Sequence, residues 1–401
     1  MILELNDWQL TTRNHTGSEI ASEPAAASDA NGDLIFGAPA QSLSRQSPQQ
    51  YNNRYLYTLA PEPLPRDLGP ARNQADLIYH HLRKLTLTDS EGLLIGVGGH
   101  VTNEQLGLLL GIAQELQIPV RGFIDNALAY GLDAPAGRDF HVIDIELHRL
   151  LISKVEVETQ QRSVSHCAAV DGVGMAAILE GWMNVIADNF VQKTRFDPLH
   201  AAASEQQLFD TVSNWLGQST LTDQRIRINH GESIRELEVS AGELSDKLSQ
   251  RLSAVDFTQL GTVGVTERVM AVPFLCDLLA SKVDAVLPLE SASAGRNFSQ
   301  LGEGLSTDRV RRVTSGNSTL SDLPATSAAA DNDPRPATHL LQEHIAFAFD
   351  HPAVCNHIDS ATGSATGNGI TINGRPNEGG RLKPGDTVTL GTQVYTAIRL
   401  E

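Results

Sequence analysis

The amino-acid sequence predicts an α/β protein built in two halves and followed by a short all-β module. Three observations lead to this prediction. Short apolar runs alternate with amphipathic helical segments over residues 74–132, which is typical of a layered α/β fold. A second series of strands and helices follows over residues 141–287. The composition changes abruptly after residue 305, and strand-like alternation returns in residues 338–401.

These observations divide the chain into four parts. We predict a first half at residues 1–133, a second half at residues 134–305, a flexible linker at residues 306–337 and a small β module at residues 338–401. The linker is rich in Ser, Thr, Ala, Asp, Asn and Pro and has few large apolar side chains. Such a segment cannot bury enough apolar surface to offset the entropy of ordering it.

The first half begins with a β meander in which Asn31-Gly32 forms a hairpin turn, because Asn and Gly tolerate positive φ. Thr102 is predicted as a helix N-cap, and Asp125 as another. The wholly apolar run at residues 92–97 is typical of a buried parallel strand. The predicted elements of this half are strands at 2–5 and 34–36, a helix at 74–85, a strand at 92–97, a helix after Thr102, a strand at 119–124 and a helix at 126–132.

The second half begins with an antiparallel strand pair, and a glycine-containing loop at residues 170–174 then leads into a long helix. Trp182 and Phe190 are eight residues apart on that helix and are predicted to face the core. The predicted elements of the second half and the tail are strands at 141–145 and 150–157, helices at 176–191 and 205–216, a hairpin at 224–229 and 234–239, a helix at 240–255, strands at 262–265 and 283–287, and strands at 370–372, 387–390 and 394–399.

Composition excludes several classes of function. The formal net charge is -18 and no basic stripe is present, so we expect no nucleic-acid binding. The three cysteines, Cys167, Cys276 and Cys355, are far apart and odd in number, which does not suggest a disulfide framework. There is no signal-peptide pattern and no apolar run of the roughly 20 residues that a membrane span needs. We therefore expect a cytoplasmic protein without a membrane span.

Four segments, in order, resemble the nucleotide-binding domain of DnaK-type (heat-shock-70-like) chaperones, which belong to the actin-like ATPase superfamily. They are residues 92–132, with the ending Ala-Leu-Ala-Tyr-Gly-Leu, and residues 139–157, 225–255 and 262–287. The resemblance implies a two-lobed actin-like (ribonuclease-H-like) fold, with residues 1–133 and 134–305 as the lobes. It also implies that ATP and Mg²⁺ would bind in the cleft between them.

The first two phosphate loops of that family are degenerate in this chain. The family's Asp-Leu-Gly, followed by Thr-Thr, corresponds to Glu4, Leu5 and Asn6, and Trp8 would fill the space of a phosphate. The family's Asp-Leu-Gly-Gly-Gly-Thr corresponds to residues 144–149. Asp144 is retained there, and Glu146, Leu147 and His148 replace the three glycines.

The third loop retains more of the family pattern. Gly-Gly-Ser-Thr-Arg-Ile-Pro corresponds to residues 263–269, in which Gly264, Thr266 and Arg268 remain. The catalytic lysine of the family falls near residues 50–56, where Arg54 is the nearest cation. Asp144 and Arg54 are therefore the candidate catalytic residues that the resemblance implies.

Two features of this degenerate cleft allow alternatives. Asp144 is either the surviving metal-linked carboxylate or a strand-end Asp that caps a turn. Gly172 and Gly174 form either a phosphate-binding nest before a helix or a simple tight turn. With Glu4, Asn6, Gly264, Thr266 and Arg268, these residues make up the set that would face ATP.

Two functions follow from the resemblance. The first is a pseudo-ATPase scaffold or assembly factor that acts through contacts with an unidentified protein, lacks a peptide-binding domain and is not an efficient ATPase. The alternative is an ATP-dependent conformational switch with weak ATPase activity. ATP with Mg²⁺ is the one cofactor the resemblance suggests, and self-assembly is possible because actin-like folds often form head-to-tail contacts.

The tail resembles the closing strands of a forkhead-associated domain over residues 369–376 and 382–390. The resemblance suggests a β-sandwich contact module. His351, Cys355 and His357 lie close together in sequence and could bind a metal, but no partner cluster completes the four ligands of a zinc site. The sequence therefore predicts loop and core roles for these three residues and no metal site.

Overall fold

The structure is a computed structural model of the 401-residue chain. Its described residues are 1–85, 87, 92–135, 140–158, 160–218, 220–231, 233–318, 337–342, 345–349, 354, 357–359, 364–365, 370–373, 375–376, 381–383, 386–390 and 393–398. They form two compact units, Met1–Ala325 and Thr326–Glu401, each of which is described by itself.

The first unit is an α/β structure. Its strands are β1 (Ile2–Leu5), β2 (Gln9–Arg13), β3 (Glu19–Pro24), β4 (Ala27–Ala30), β5 (Asp33–Phe36), β6 (Tyr51–Asn52), β7 (Pro63–Leu68), β8 (Ala71–Asn73), β9 (Leu93–Val97), β10 (Val120–Asp125), β11 (Phe140–Ile145), β12 (Arg149–Val157), β13 (Gln161–Asp171), β14 (Gln224–His230), β15 (Ser233–Val239), β16 (Thr262–Thr266), β17 (Ala285–Leu289), β18 (Arg312–Val313) and β19 (Ser315–Asn317). Its helices are α1 (Ala38–Gln41), α2 (Tyr55–Thr58), α3 (Gln74–Lys84), α4 (Asn103–Glu115), α5 (Asn126–Gly131), α6 (Met175–Thr194), α7 (Ala202–Ser213), α8 (Ala241–Leu252), α9 (Glu267–Met270), α10 (Leu275–Ala280) and α11 (Ser291–Leu301), with one 3₁₀ turn at Pro48–Gln50.

Two six-stranded sheets organise this unit, and five strands of each repeat one topology. The first has the order β18-β10-β9-β1-β2-β3, in which β18, β10, β9 and β1 are parallel and β2 and β3 continue as an antiparallel meander. The second has the order β17-β16-β11-β12-β13-β19, with β17, β16 and β11 parallel and the rest antiparallel. In both sheets a three-stranded meander is followed by two parallel strands. The first of these, β9 or β16, pairs with the first strand of the meander, and the second, β10 or β17, pairs with β9 or β16. The sixth strands differ, because β18 extends the parallel edge of one sheet and β19 the meander edge of the other.

Each sheet has a hydrophobic core, and α5 and α11 contribute to the packing between them. Leu3, Ile95 and Leu109 belong to the core of the first sheet. Trp182 and Phe190 of α6 are fully buried in the core of the second, as predicted. The strand runs are apolar because both of their faces are covered, which is the usual pattern of parallel strands between helices.

Local signals explain several element boundaries. Asn31 and Gly32 have φ values of 59° and 92° between β4 and β5, which confirms the predicted hairpin turn. Thr102 caps α4 in a capping box with Gln105, and the Asp125 side chain accepts a hydrogen bond from the Ala127 N–H at the start of α5. These two predicted N-caps are also confirmed.

The predicted linker requires a correction at its beginning. Residues 312–317 lie within the predicted linker 306–337, yet β18 pairs with β10 and β19 pairs with β13. Arg312 anchors this segment through an ion pair of 2.8 Å with Asp125 and through hydrogen bonds to the carbonyls of Gly98 and Val101. Backbone pairing and one partly buried ion pair thus order a segment that has few apolar side chains.

The second unit is all-β among its described residues. Its strands are β20 (His339–Gln342), β21 (Ile345–Ala348), β22 (Ile358–Asp359), β23 (Ser364–Ala365), β24 (Ile370–Ile372), β25 (Arg375–Pro376), β26 (Thr387–Leu390) and β27 (Gln393–Ile398). Six of them form the sheet β21-β20-β27-β26-β24-β25, and β22 pairs with β23. Leu340, Val388 and Tyr395 lie in its core. Among the described residues of the chain, no helix is long and apolar enough to cross a membrane.

Candidate functional site

A buried ionic cluster lies where the two sheets of the first unit meet. Glu4 near the end of β1 forms ion pairs with Arg13 of β2 (3.2 Å) and Arg268 of α9 (2.8 Å). Asp144 near the end of β11 binds the same Arg268 through two hydrogen bonds, at 2.9 Å from Nε and 2.8 Å from Nη2. The Arg268 guanidinium therefore joins a carboxylate of one sheet to a carboxylate of the other. We call Glu4, Arg13, Asp144 and Arg268 the ionic cluster.

Neutral side chains complete the hydrogen bonds of this cluster. Thr266 donates its hydroxyl to Asp144 Oδ1 at 2.6 Å, and Tyr130 donates its hydroxyl to Glu4 Oε1 at 3.2 Å. Asn6 donates to the carbonyl of Ile145 at 3.2 Å and lies 3.4 Å from Asp144 Oδ2. The cluster thus contains two carboxylates and two guanidinium groups, and most of their hydrogen-bonding atoms are satisfied within the chain.

The electrostatics of the cluster match this pairing. Burial by itself would raise the pKa of Glu4, but Arg268 and Arg13 outweigh burial, and the net shift lowers that pKa. Burial would lower the pKa of Arg268, but Asp144, Tyr130 and Glu4 raise it well above its usual value. The pairing therefore favours the charged forms of both Glu4 and Arg268.

A second contact joins the turn after β1 to the turn between β11 and β12. The Leu147 N–H in the latter turn donates a hydrogen bond to Oδ1 of Asp7. The same turn is the one that resembles a phosphate loop, so a carboxyl group of the chain itself binds its backbone N–H. Burial raises the pKa of Asp7 to about 7, against the opposing effects of the Leu147 N–H and Arg149.

Glu146 lies in the same turn and is also buried. Its Oε2 is 3.2 Å from Nε of Arg149 and 3.8 Å from Nε2 of His100. Burial, and then the nearby Asp7 carboxyl group, raise the pKa of Glu146 well above its usual value. Burial, Arg149 and Arg312 lower the pKa of His100 to about 4. A neutral His100 therefore faces Glu146 at neutral pH.

The glycines predicted at the cleft have different surroundings. Gly172 is exposed, has a φ of 73°, and donates its N–H to the carbonyl of His148 at 3.0 Å. Gly174 is buried, and a side chain there would overlap the backbone of residues 147–149. Gly264 lies in β16 against Phe140. Gly172 therefore makes a turn hydrogen bond, and Gly174 permits close backbone approach.

Trp8 and Arg54 lie outside the ionic cluster. Trp8 is buried in the core of the second sheet, and its backbone N–H donates to Asn6 Oδ1 at 2.8 Å. Arg54 is exposed and its guanidinium lies 4.9 Å from the centre of the Tyr57 ring. Both residues line a cavity of about 450 Å³ that also contacts His148 and Gly172. The structure thus brings Glu4, Asn6, Asp144, Thr266 and Arg268 together, and places Arg54 at this neighbouring cavity.

Sequence reasoning missed three members of the site. Tyr130 and Asp7 each bind a group more than 100 positions away in the chain. Arg13 binds Glu4 across the β1–β2 hairpin and also Ser291, 278 positions away. No local pattern indicates the distant pairs. One sequence signal is available for two of these residues. Asp7 lies at the turn of the short β1–β2 hairpin and Arg13 at its end, and apart from Glu4 the strands of this hairpin carry no other charged residue. Charged groups there must either face solvent or pair with each other.

No group of three or more potential metal-ligating side chains occurs among the described residues. His351 and Cys355, considered above as metal ligands, lie outside the described residues, and His357 is exposed. No protein-family model matches the sequence, and no curated protein shows significant similarity to it.

Proposed function

We propose that this chain is an actin-like, DnaK-type protein without ATPase activity, which acts as a scaffold or assembly factor through protein contacts. One observation carries the proposal. The carboxylates that the resemblance assigns to nucleotide and metal binding, Glu4 and Asp144, both bind Arg268. Neither carboxylate is left free to bind Mg²⁺ or a metal-bound water.

The repeated sheet topology supports the actin-like part of the proposal. Two sheets that share one five-stranded order, each with a meander and two parallel strands, are what a two-lobed actin-like fold requires. The functional residues at the carboxyl ends of β1, β11 and β16 lie where ligands usually bind in such sheets.

The contact between Asp7 and the Leu147 N–H supports the non-catalytic part. In a phosphate loop this N–H would bind a phosphate oxygen, and here it binds a carboxyl oxygen of the chain. The ionic cluster and this contact together join the two sheets without a ligand. An ATP-driven opening and closing of the cleft would have to break both, and breaking one buried ion pair alone costs about 3–5 kcal/mol.

Isothermal titration with ATP and Mg²⁺ tests the proposal. We expect no binding tighter than a dissociation constant of about 100 μM, which corresponds to about -5.5 kcal/mol. Phosphate release from ATP, measured on the same sample, should not exceed that of a buffer blank. Tighter binding, or turnover that disappears in the Asp144→Asn variant, would instead establish the ATP-dependent switch.

A further inference from the structure

We infer that the cavity beside the ionic cluster is a binding site for a compact organic anion with an aromatic ring, bound without a metal ion. The site lies outside the contacts on which the proposed function depends. Its volume of about 450 Å³ is within the range of small-molecule sites. The site is lined by residues 8–57 on one side and 147–216 on the other, all of them within the first unit.

Two hydroxyl groups of the cavity wall point to a ligand. The side-chain oxygens of Ser44 and Ser213 are buried and have no hydrogen-bond partner within the structure, and both residues line the cavity. Ser44 has a relative exposure of 6%. A buried hydroxyl without a partner costs free energy. A bound polar group recovers it once the serine side chain turns its shielded oxygen towards the cavity.

The charge of one wall favours an anion. Arg54 is exposed at the cavity, and none of the described carboxylates lies within ion-pair distance of it. The guanidinium groups of Arg54 and Arg149 lie 4.9 and 4.1 Å from the centre of the Tyr57 ring, and His148 contacts the edge of that ring. Burial and then Arg54 lower the pKa of His148 to about 4, which is consistent with a positive local potential.

Other residues of the cavity wall favour a ring. Phe209 and Tyr51 line it, and Arg45 stacks over Phe209 at 5.0 Å while Glu180 and Glu205 bind its charge. Arg45 is therefore neutralised within the chain, whereas Arg54 is available to a ligand. Aromatic and apolar walls around a few placed polar groups are typical of sites for small organic molecules.

A matched pair of fluorescent probes tests this inference. Anilinonaphthalene sulfonate carries a ring system and an anionic group, and phenyl-naphthylamine is its uncharged counterpart. We expect the sulfonate to bind the full chain at one site, with an affinity that EDTA does not change. The Arg54→Met variant should weaken sulfonate binding about tenfold and leave phenyl-naphthylamine binding unchanged. The Arg227→Met variant, which removes an exposed guanidinium from the β14–β15 hairpin, is the control and should alter neither.

The Ser44→Ala variant distinguishes a ligand-binding role of the Ser44 hydroxyl from a role in stabilising the fold. Because the hydroxyl has no partner in the free protein, we expect an unfolding midpoint no lower than that of the wild type, together with weaker sulfonate binding. The inference would be overturned by absence of saturable sulfonate binding, by a requirement for Mg²⁺, or by equal effects of Arg54→Met and Arg227→Met. Any of these results would leave the ATP titration, and hence the proposed function, unaffected.

Discussion

Replacing Arg268 by Met should destabilise the first unit strongly. The substitution keeps most of the side-chain volume but removes three contacts of 2.8–2.9 Å to Glu4 and Asp144. The ionic cluster then retains two buried carboxylates and only one guanidinium, that of Arg13. Because breaking a buried ion pair leaves an uncompensated charge, we expect a loss of about 3–5 kcal/mol in the free energy of unfolding.

A second variant tests whether the loss of stability comes from the excess negative charge that Arg268→Met leaves in the cluster. The double variant Arg268→Met with Asp144→Asn retains the Glu4–Arg13 pair and has no excess charge in the cluster. Neutral replacement of a buried pair is often close to neutral for stability, so the double variant should recover most of the loss. Arg227→Met is the surface control. Its ion pair with Glu236 is 3.2 Å long, but the two side chains are 64% and 41% exposed, so the expected loss is below about 0.5 kcal/mol.

Tryptophan fluorescence during urea unfolding provides the assay. The three tryptophans of the chain, Trp8, Trp182 and Trp215, all lie in the core of the second sheet, so their emission reports on the first unit alone. This matters because a chain of two compact units need not unfold in one transition. The reasoning would be refuted if Arg268→Met cost less than about 1 kcal/mol, or if adding Asp144→Asn made the protein less stable still.

Two further predictions concern residues that contact the turn after β11, Asp7 and Gly174. Asp7→Asn should be more stable than the wild type above pH 7. Since the folded-state pKa of Asp7 is raised to about 7 from 3.8, wild-type stability should fall relative to this variant by about 1.4 kcal/mol per pH unit between about pH 4 and pH 7 and then level off. A pH-independent difference in urea midpoint would contradict this. Gly174→Ala should cost about 1–3 kcal/mol because its side chain overlaps the backbone of residues 147–149. The control Gly107→Ala, in α4 with open space around it, should gain about 0.5–1 kcal/mol in the same urea unfolding measurement.

The sequence predicts elements well wherever periodicity or capping is local. The capping box at Thr102, the hairpin turn at Asn31-Gly32 and the apolar strand β9 each carry their own signal within a few residues. The strand β13 has no such signal, because its composition is mixed and its length depends on pairing with β12. The strands β18 and β19 are similar cases, since distant backbone partners order them.

The contacts of the candidate site likewise join residues that are distant in the chain, so the sequence does not predict them. The resemblance names Glu4, Asp144 and Arg268 as parts of one cleft, but a sequence cannot show that one guanidinium binds both carboxylates. Nor does it show the Asp7 contact with the Leu147 N–H, which joins residues 140 positions apart. These pairings depend on how the two sheets approach each other, and neither spacing nor composition encodes that geometry locally.

The ionic cluster and the neighbouring cavity differ in whether their polar groups have partners within the chain. At the strand ends, both guanidinium groups and both carboxylates of the ionic cluster bind one another, so a ligand entering there would have to replace strong contacts inside the chain. At the neighbouring cavity, Arg54 lacks a described ionic partner, and the hydroxyls of Ser44 and Ser213 lack hydrogen-bond partners. A ligand there would gain contacts without breaking any of the cluster. A closed ionic cluster and the proposed ligand site are therefore compatible in one unit, because the contacts within the cluster do not use the groups that line the cavity.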